Sequence, residues 1–136
     1  MKIILVDDDR FALEAISHML HWERFDGELA GCATNGTEAI ALLNTQHPDV
    51  VISDIRMPDM DGLDLAQYLY EHCPDTRMIL ISGHGEFEYA QRALRYQVTD
   101  YILKPITRAK LNSLEDRLCA IQKELSADVP PWYACD

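Results

Sequence analysis

The chain has 136 residues, which suits one domain that buries a sheet between helices but not two full domains. Its formal net charge is -11, from 23 acidic and 12 basic residues, which excludes nonspecific attraction to nucleic acid or to anionic membranes by this chain alone. Only four apolar residues follow Met1 and Lys2 before a run of acids, too few for a signal peptide or a membrane span, so we expect a cytoplasmic location.

Short β-branched runs alternate with amphipathic stretches from residue 2 to about residue 125, which predicts consecutive β-α units and a parallel sheet. The first strand is predicted at 2–6. The helix that follows, at about 10–21, is predicted to bury these apolar residues: Phe11, Ala12, Ala15, Ile16, Met19 and Leu20. A weak second strand at 29–33 is expected at the sheet edge, and the next helix ends before Pro48.

The third strand, at 49–53, is nearly all apolar, as expected for a central strand that is covered on both faces. A loop at 57–62 and a helix follow it. The fourth and fifth strands are predicted at 78–81 and 101–103, with a helix between them, and the last helix is predicted at 107–125. One domain therefore spans 1–125, and we expect 126–136 to be a tail or truncated linker, because its prolines cannot continue a helix.

Carboxylates stand at the predicted ends of two strands. Asp7 and Asp8 directly follow the first strand, and Asp54 follows the third. The carboxyl ends of parallel strands meet at one edge of the sheet, where ligands bind, so we expect these groups to converge. Clustered carboxylates are costly unless a cation or hydrogen bonds offset their repulsion, and Mg²⁺ prefers oxygen ligands and often binds phosphate as well. The pattern therefore predicts a magnesium site that handles phosphate.

The fourth and fifth strands end in groups that suit the same chemistry. Ser82 offers a hydroxyl donor and Lys104 a positive charge. Attack of a carboxylate on phosphorus would give an aspartyl phosphate, which a metal and nearby cations must stabilise. Because phosphoryl transfer depends mainly on positioning and charge neutralisation, each role has one candidate at a strand end.

Several separated motifs occur in order at suitable spacing: the pair Asp7 and Asp8, then Asp54 with Met57, Pro58, Asp61 and Gly62, then Ser82 with Gly83, and finally Tyr101 with Lys104 and Pro105. Over about residues 2–124 this set closely resembles the receiver domain of two-component response regulators. The resemblance implies a flavodoxin-like, doubly wound α/β fold whose five parallel strands lie in the order 2-1-3-4-5 with five helices. It also implies a regulatory phosphoacceptor, not an enzyme, that takes phosphate from a sensor histidine kinase and dephosphorylates itself.

By position in these motifs, the resemblance makes Asp54 the phosphoacceptor and a metal ligand. Asp8 becomes a direct Mg²⁺ ligand and Asp7 a ligand through water. The backbone carbonyl of Arg56 is implied as the third protein ligand. Asp9 matches a variable acidic position, and we expect it only to place a charge at the N-terminus of the helix.

The resemblance also implies a switch. Ser82 would hydrogen-bond a phosphoryl oxygen, and Tyr101 would move from an exposed to a buried rotamer. This would report phosphorylation to the surface formed by the fourth helix, fifth strand and last helix. Lys104 would bridge the phosphoryl group and the carboxylate, and its peptide bond to Pro105 is expected to be cis. As a hypothesis, Arg56 and His84 flank the path of an incoming water and set the lifetime of the phosphorylated state.

The stretch at 82–94, together with 100–105, looks most like receivers attached to DNA-binding domains of the AraC type. The output domain is therefore expected to be transcriptional and to lie outside this chain, which makes no direct contact with nucleic acid. The last helix carries apolar residues at alternating steps of three and four: Leu111, Leu114, Leu118, Ile121 and Leu125. The simpler interpretation is that the first three leucines cover the sheet. The alternative is that Ile121 and Leu125 extend past the domain and pair with a second copy, giving a homodimer on phosphorylation.

Two other classes of function remain open at this point. Asp7-x-Asp9 after a strand also resembles the first motif of haloacid-dehalogenase-type phosphatases, in which the first Asp is the nucleophile and the second a general acid. That reading leaves Asp54 unexplained. The other alternative is an interaction module with a receiver-like fold that takes no phosphate.

Overall fold

The computed structural model describes residues 1–83 and 87–127, and within the second range it describes the side chains of 91–126. Five strands and five helices alternate along the chain, with one short 3-10 helix at Trp22–Phe25. The strands are β1 (Lys2–Val6), β2 (Glu28–Ala33), β3 (Val50–Asp54), β4 (Arg77–Ser82) and β5 (Asp100–Leu103). The helices are α1 (Arg10–Met19), α2 (Gly36–Gln46), α3 (Gly62–His72), α4 (Phe87–Arg95) and α5 (Arg108–Ala127).

The five strands form one parallel sheet in the order β2-β1-β3-β4-β5, as predicted. After β1 the chain first adds β2 on one side and then returns to add β3 on the other. The order of the strands therefore reverses between β1 and β3, and a crevice opens at their carboxyl ends. The weak strand β2 lies at an edge of the sheet, which confirms the expectation from its sequence.

The core has two layers, one on each face of the sheet, because successive side chains of a strand point to opposite sides. In β1, Ile3 and Leu5 pack against α1 and α5, whereas Ile4 and Val6 pack against residues of α2, α3 and α4. All five residues of β3 are buried, as its apolar sequence predicts for a central strand. The crevice residues at the strand ends are thus supported by a sheet that is covered on both sides.

Three of the helices begin with an acidic or amide cap that satisfies a free backbone N–H group. Asp9 accepts a hydrogen bond from Phe11 N at 2.9 Å at the start of α1. Asn35 caps α2 in the same way, and Asp61 forms a reciprocal capping box with Asp64 at the start of α3. The prediction that Asp9 serves the N-terminus of the first helix is confirmed. The two strand-to-helix turns that flank the crevice, after β1 and after β3, are held by such caps.

The buried face of α1 matches the predicted one only in part. Ile16 and Leu20 are buried as predicted, and so is Leu13. Phe11, however, is 83% exposed and Met19 is 40% exposed. Ala15, also predicted to be buried, is exposed. The helix carries two neighbouring apolar stripes, and the orientation in which it docks on the sheet selects one of them. Sequence spacing alone does not determine that rotation.

Helix α5 covers the sheet with its apolar seam. Leu111, Leu114, Leu118 and Ile121 are each at most 1% exposed, and Leu125 packs partly buried against the same cluster. The first three leucines therefore cover the sheet, as the simpler interpretation predicts. Ile121 is buried in the same cluster, so it cannot also pair with a second copy while it is buried here. The helix runs to Ala127, two residues beyond the predicted end at 125, and residues 128–136 of the expected tail lie outside the described residues.

Candidate functional site

The predicted acidic cluster forms at the crevice between β1 and β3. Carboxylate oxygens of Asp7, Asp8 and Asp54 all lie within 4.8 Å of one another. Asp54 is the last residue of β3 and is 8% exposed, Asp7 follows β1 and is 4% exposed, and Asp8 is exposed. The structure therefore brings Asp54 next to Asp7 and Asp8, which lie 47 and 46 residues before it in the sequence.

Asp7 carries the strongest electrostatic signal of this cluster. Burial, and less strongly the negative charge of Asp54, raise the pKa of its carboxyl group, while a hydrogen bond from Asp9 N and the charge of Lys104 lower it. The net effect raises the pKa from the ordinary 3.8 to about 6. That hydrogen bond, 2.9 Å to Oδ1 of Asp7, orients the carboxyl group at the end of β1. A group whose negative charge is costly in the absence of a cation is typical of a cation site.

Lys104 supplies a positive charge next to Asp54 and Asp7. Its Nζ atom donates a hydrogen bond of 3.0 Å to Oδ2 of Asp54 and lies 3.9 Å from Oδ2 of Asp7. Burial lowers the pKa of the ammonium group, but the hydrogen bond to Asp54 and the surrounding carboxylates outweigh burial and the net shift is upward. The peptide bond from Lys104 to Pro105 is cis, as expected. The ammonium group therefore stays charged at neutral pH.

The other oxygen of Asp54 is held by the backbone. Oδ1 accepts a hydrogen bond of 2.8 Å from the N–H of Ile55. This contact was not predicted from the sequence, since backbone donors leave no signal in residue identity. Together with Lys104 it fixes the carboxylate plane of Asp54, which is the geometry a positioned nucleophile requires.

Ser82 and Tyr101 form a hydrogen-bonded pair beside the cluster. Ser82 is buried at the end of β4, and its hydroxyl group donates to the carbonyl of Gly83 at 3.0 Å. The phenol of Tyr101, half-buried on β5, donates to Oγ of Ser82 at 2.7 Å. The backbone N–H of Lys104 also donates to the carbonyl of Ser82, at 2.6 Å, so the ends of β4 and β5 are fastened to each other.

The remaining predicted residues flank the acceptor. Arg56 is exposed and stands two residues after Asp54, in the loop that leads to α3. His84 lies outside the described residues, so the hypothesis that pairs it with Arg56 stays a prediction. Asp9 would be the general acid in the phosphatase alternative, but its carboxylate accepts a hydrogen bond from Phe11 N and caps α1.

The sequence did not predict the contact between this loop and the start of α2. Asp59, in the same loop as Arg56, accepts hydrogen bonds from Gly36 and Thr37 at the start of α2. Donor and acceptor are 22 and 23 residues apart, so no local spacing pattern could have indicated the contact. A helix start that faces a loop across the crevice is a consequence of the tertiary fold.

The arrangement can hold a divalent cation with carboxylate oxygens and can neutralise a bound phosphoryl group with a lysine and a hydroxyl. Hard oxygen donors in a partly buried site suit Mg²⁺. Among the described helices, none has the length and apolar character required to cross a bilayer.

Comparisons with known proteins identify relatives of this chain. The family model of the response regulator receiver domain matches residues 3–114. A transcriptional regulatory protein of Bacillus subtilis, YesN, is 38% identical over 124 residues, which are 90% of this chain and 34% of that protein. The transcriptional regulatory protein HptR of Staphylococcus aureus is 33% identical over 117 residues, 86% of this chain and 46% of that protein. The chain thus spans between a third and a half of the length of these relatives.

Among solved structures, the receiver domain of AraT, a response regulator from Geobacillus stearothermophilus, is similar to this chain. The two share 36% identity with a TM-score of 0.83, over 93% of this chain and 96% of that domain. The match extends over nearly the whole of both chains, so the fold and the order of its motifs are shared. On the family model, the relatives and the fold together, this chain belongs to the receiver domain family of two-component response regulators.

Proposed function

We propose that this domain is a cytosolic signalling switch that accepts a phosphoryl group on Asp54 from a sensor histidine kinase in the presence of Mg²⁺. The observation that carries the proposal is the convergence of Asp7, Asp8 and Asp54 within 4.8 Å, with the ammonium group of Lys104 at 3.0 Å from Asp54. A structural ion-pair cluster would not need three acids against one lysine. The excess negative charge is what a bound divalent cation would balance.

The magnesium ion would be held by the carboxylates of Asp7, Asp8 and Asp54 and by the backbone carbonyl of Arg56. When bound, it would supply positive charge that neutralises the phosphoryl oxygens and lowers the cost of the charged Asp7. The fit rests on the oxygen-rich donor set and on the raised pKa of Asp7, which burial produces in the absence of a cation.

In the proposed transfer, a carboxylate oxygen of Asp54 attacks the phosphorus of a phosphohistidine. The new bond joins that oxygen to phosphorus, the bond from phosphorus to the imidazole nitrogen breaks, and the imidazole leaves with the electron pair and takes up a proton. Lys104 would bind a phosphoryl oxygen and offset the charge of the product. Hydrolysis by water would later return Asp54 to a free carboxylate, so the domain resets itself and does not turn over a substrate.

The proposed switch couples Asp54 to the surface of α4, β5 and α5 through Ser82 and Tyr101. If the hydroxyl group of Ser82 turns to a phosphoryl oxygen, it must release the carbonyl of Gly83, to which it donates. A shift of its Oγ atom would reach Tyr101, because the phenol donates to that atom at 2.7 Å. That surface carries exposed apolar side chains, Leu94 at 76% and Leu103 at 48%, which suits docking of an output domain or a second copy. The relatives are transcriptional regulatory proteins, so we propose a transcriptional output.

The test is chemical modification of Asp54 with a matched acidic control. The protein is incubated with acetyl phosphate and Mg²⁺ and its intact mass is measured. We expect the mass of one phosphoryl group to be added to the wild type and to Asp49→Asn, but not to Asp54→Asn. Asp49 is the control because it lies at the other end of β3, where its carboxylate accepts a hydrogen bond from Lys2 N.

Three outcomes would contradict the proposal. No adduct on the wild type would favour the interaction module that takes no phosphate. An adduct that persists in Asp54→Asn would place the acceptor elsewhere. Turnover of a small phosphate ester that Asp7→Asn abolishes and Asp54→Asn does not would favour the phosphatase alternative.

The homodimer is tested by analytical centrifugation with and without beryllofluoride, and a monomer in both conditions argues against it.

A further inference from the structure

The carboxylate of Asp59 connects the loop after β3 to the start of helix α2. Its Oδ1 atom accepts hydrogen bonds from Gly36 N at 3.0 Å and from Met60 N at 2.8 Å. Its Oδ2 atom accepts from Thr37 N at 3.2 Å and from the Thr37 hydroxyl at 2.7 Å. The hydroxyl of Thr37 and these N–H groups lower the pKa of Asp59 to about 2, so the group is ionised at neutral pH.

These contacts complete the N-terminus of α2. The first N–H groups of a helix have no partner inside the helix and carry a partial positive charge. The side chain of the local cap, Asn35, accepts from Glu38 N at 2.8 Å. Asp59 accepts from the two N–H groups before it, those of Gly36 and Thr37. The helix start therefore has two separate anchors, one from its own turn and one from the loop after β3.

The loop is also held at both of its ends, by close packing at one end and by a hydrogen bond at the other. Gly36 is buried, and a Cβ atom at that position would lie 2.5 Å from the Cβ atom of Met60. At the base of the loop, Gly62 N donates to the carbonyl of Ile55 at 2.6 Å. Arg56 lies between these two fixed points. Both flanks of Arg56 are thus held, on one side at the base of the loop and on the other at the Asp59 anchor.

We propose that Asp59 is a positioning residue for the magnesium site: by holding this loop against α2, it places the backbone carbonyl of Arg56 for metal binding beside Asp54. The inference rests on the proposed function, which makes that carbonyl a ligand. Asp59 would act at a distance, because its own carboxylate is engaged by the helix start and by the loop. Residues that orient metal ligands in this way commonly contribute strongly to metal affinity.

The experiment measures Mg²⁺ binding to the unphosphorylated chain by isothermal titration calorimetry at constant ionic strength. Asp59→Asn weakens the anchor and removes a charge, and we expect about a tenfold higher Kd. Thr37→Val keeps the charge of Asp59 and removes one hydrogen bond, and we expect a Kd about fivefold higher. Hydrogen exchange at the amide of Met60 should be faster in both variants without Mg²⁺, which reports the loop directly and independently of phosphorylation.

The matched control is Asn35→Ala, which removes the other anchor of the same helix turn without touching the loop. We expect this variant to melt at a lower temperature but to bind Mg²⁺ with a Kd within about twofold of the wild type. An equal loss of affinity in Asn35→Ala and Thr37→Val would mean that stability of α2 is responsible, and would overturn the inference. So would an unchanged Kd in Asp59→Asn. A wild-type chain that binds no Mg²⁺ would overturn the proposed function, and the inference with it.

Discussion

Replacing Asp7 by Asn should stabilise the metal-free protein near neutral pH. The side chain of Asp7 is 5% exposed, and burial is the main cause that raises its pKa to about 6. At neutral pH the folded protein therefore holds a carboxylate whose ionised form is more costly than in the unfolded chain. Asparagine keeps the shape and the oxygen that accepts from Asp9 N, but it carries no charge.

The sign and size follow from the two pKa values. Because the folded value, about 6, lies above the unfolded value, 3.8, the free energy of unfolding falls as pH rises through this window and then levels off. The gap corresponds to about 3 kcal/mol near pH 7. The attraction to Lys104, 3.9 Å away, is already contained in this gap, so only the imperfect match between asparagine and a protonated carboxyl group subtracts from the gain. We therefore expect Asp7→Asn to be more stable by about 2 kcal/mol, or about 8 °C in Tm.

The assay is urea unfolding followed by circular dichroism, with a chelator present, near pH 5 and near pH 7. Wild-type stability should drop between the two values, and Asp7→Asn should not show this drop. Asp8→Asn is the control, because Asp8 is exposed, and its gain should be under about 1 kcal/mol. Added Mg²⁺ should then stabilise the wild type more than Asp7→Asn. An Asp7→Asn variant no more stable than the wild type near pH 7, or an equal gain in Asp8→Asn, would refute the reasoning.

Three further predictions concern other parts of the fold. Lys104→Ala should slow the reaction with acetyl phosphate about a hundredfold, since one charge-stabilising donor is lost, and a rate within about threefold of the wild type would contradict this. Glu115→Gln should lower the free energy of unfolding in urea by about 2 kcal/mol, because this fully buried carboxylate on α5 receives hydrogen bonds from two arginines. Replacing its exposed neighbour, Asp116→Asn, should change the free energy of unfolding by under about 0.5 kcal/mol. Equal effects of the two substitutions would argue against the buried network. Gly62→Ala should cost about 1–3 kcal/mol in the same assay, because its Cβ would lie 2.5 Å from the backbone that ends β3. Gly83→Ala should be nearly neutral, because its Cβ would meet no atom of the described residues within 4 Å.

Most of the fold can be predicted from the order of strands, helices and motifs along the sequence. Apolar strands such as Val50–Asp54 and the amphipathic stretches between them predict an alternating α/β chain and a parallel sheet. Once the strands are parallel, residues that follow them must meet at one edge, so the convergence of Asp7 and Asp54 could be predicted without coordinates. The order of the strands came from resemblance to the receiver family, since spacing alone does not distinguish the alternatives.

The sequence could not predict which side of a helix faces the sheet. Phe11 and Leu13 are both apolar and lie about 200° apart around the axis of α1, yet the first is exposed and the second is buried. The choice depends on the twist of the sheet and on the packing of α5 beside α1, and both are properties of the assembled core.

The sequence by itself determined which chemical groups stand at the strand ends, because that follows from where each apolar run stops. Only the tertiary structure decided which groups from distant parts of the chain contact one another. Asp59 reaches Gly36 across 23 residues, and Glu115 reaches Arg24 across 91. The physical reason is that a hydrogen bond acts over about 3 Å and depends on positions in space, so contacts between remote segments exist only after the sheet and helices have docked.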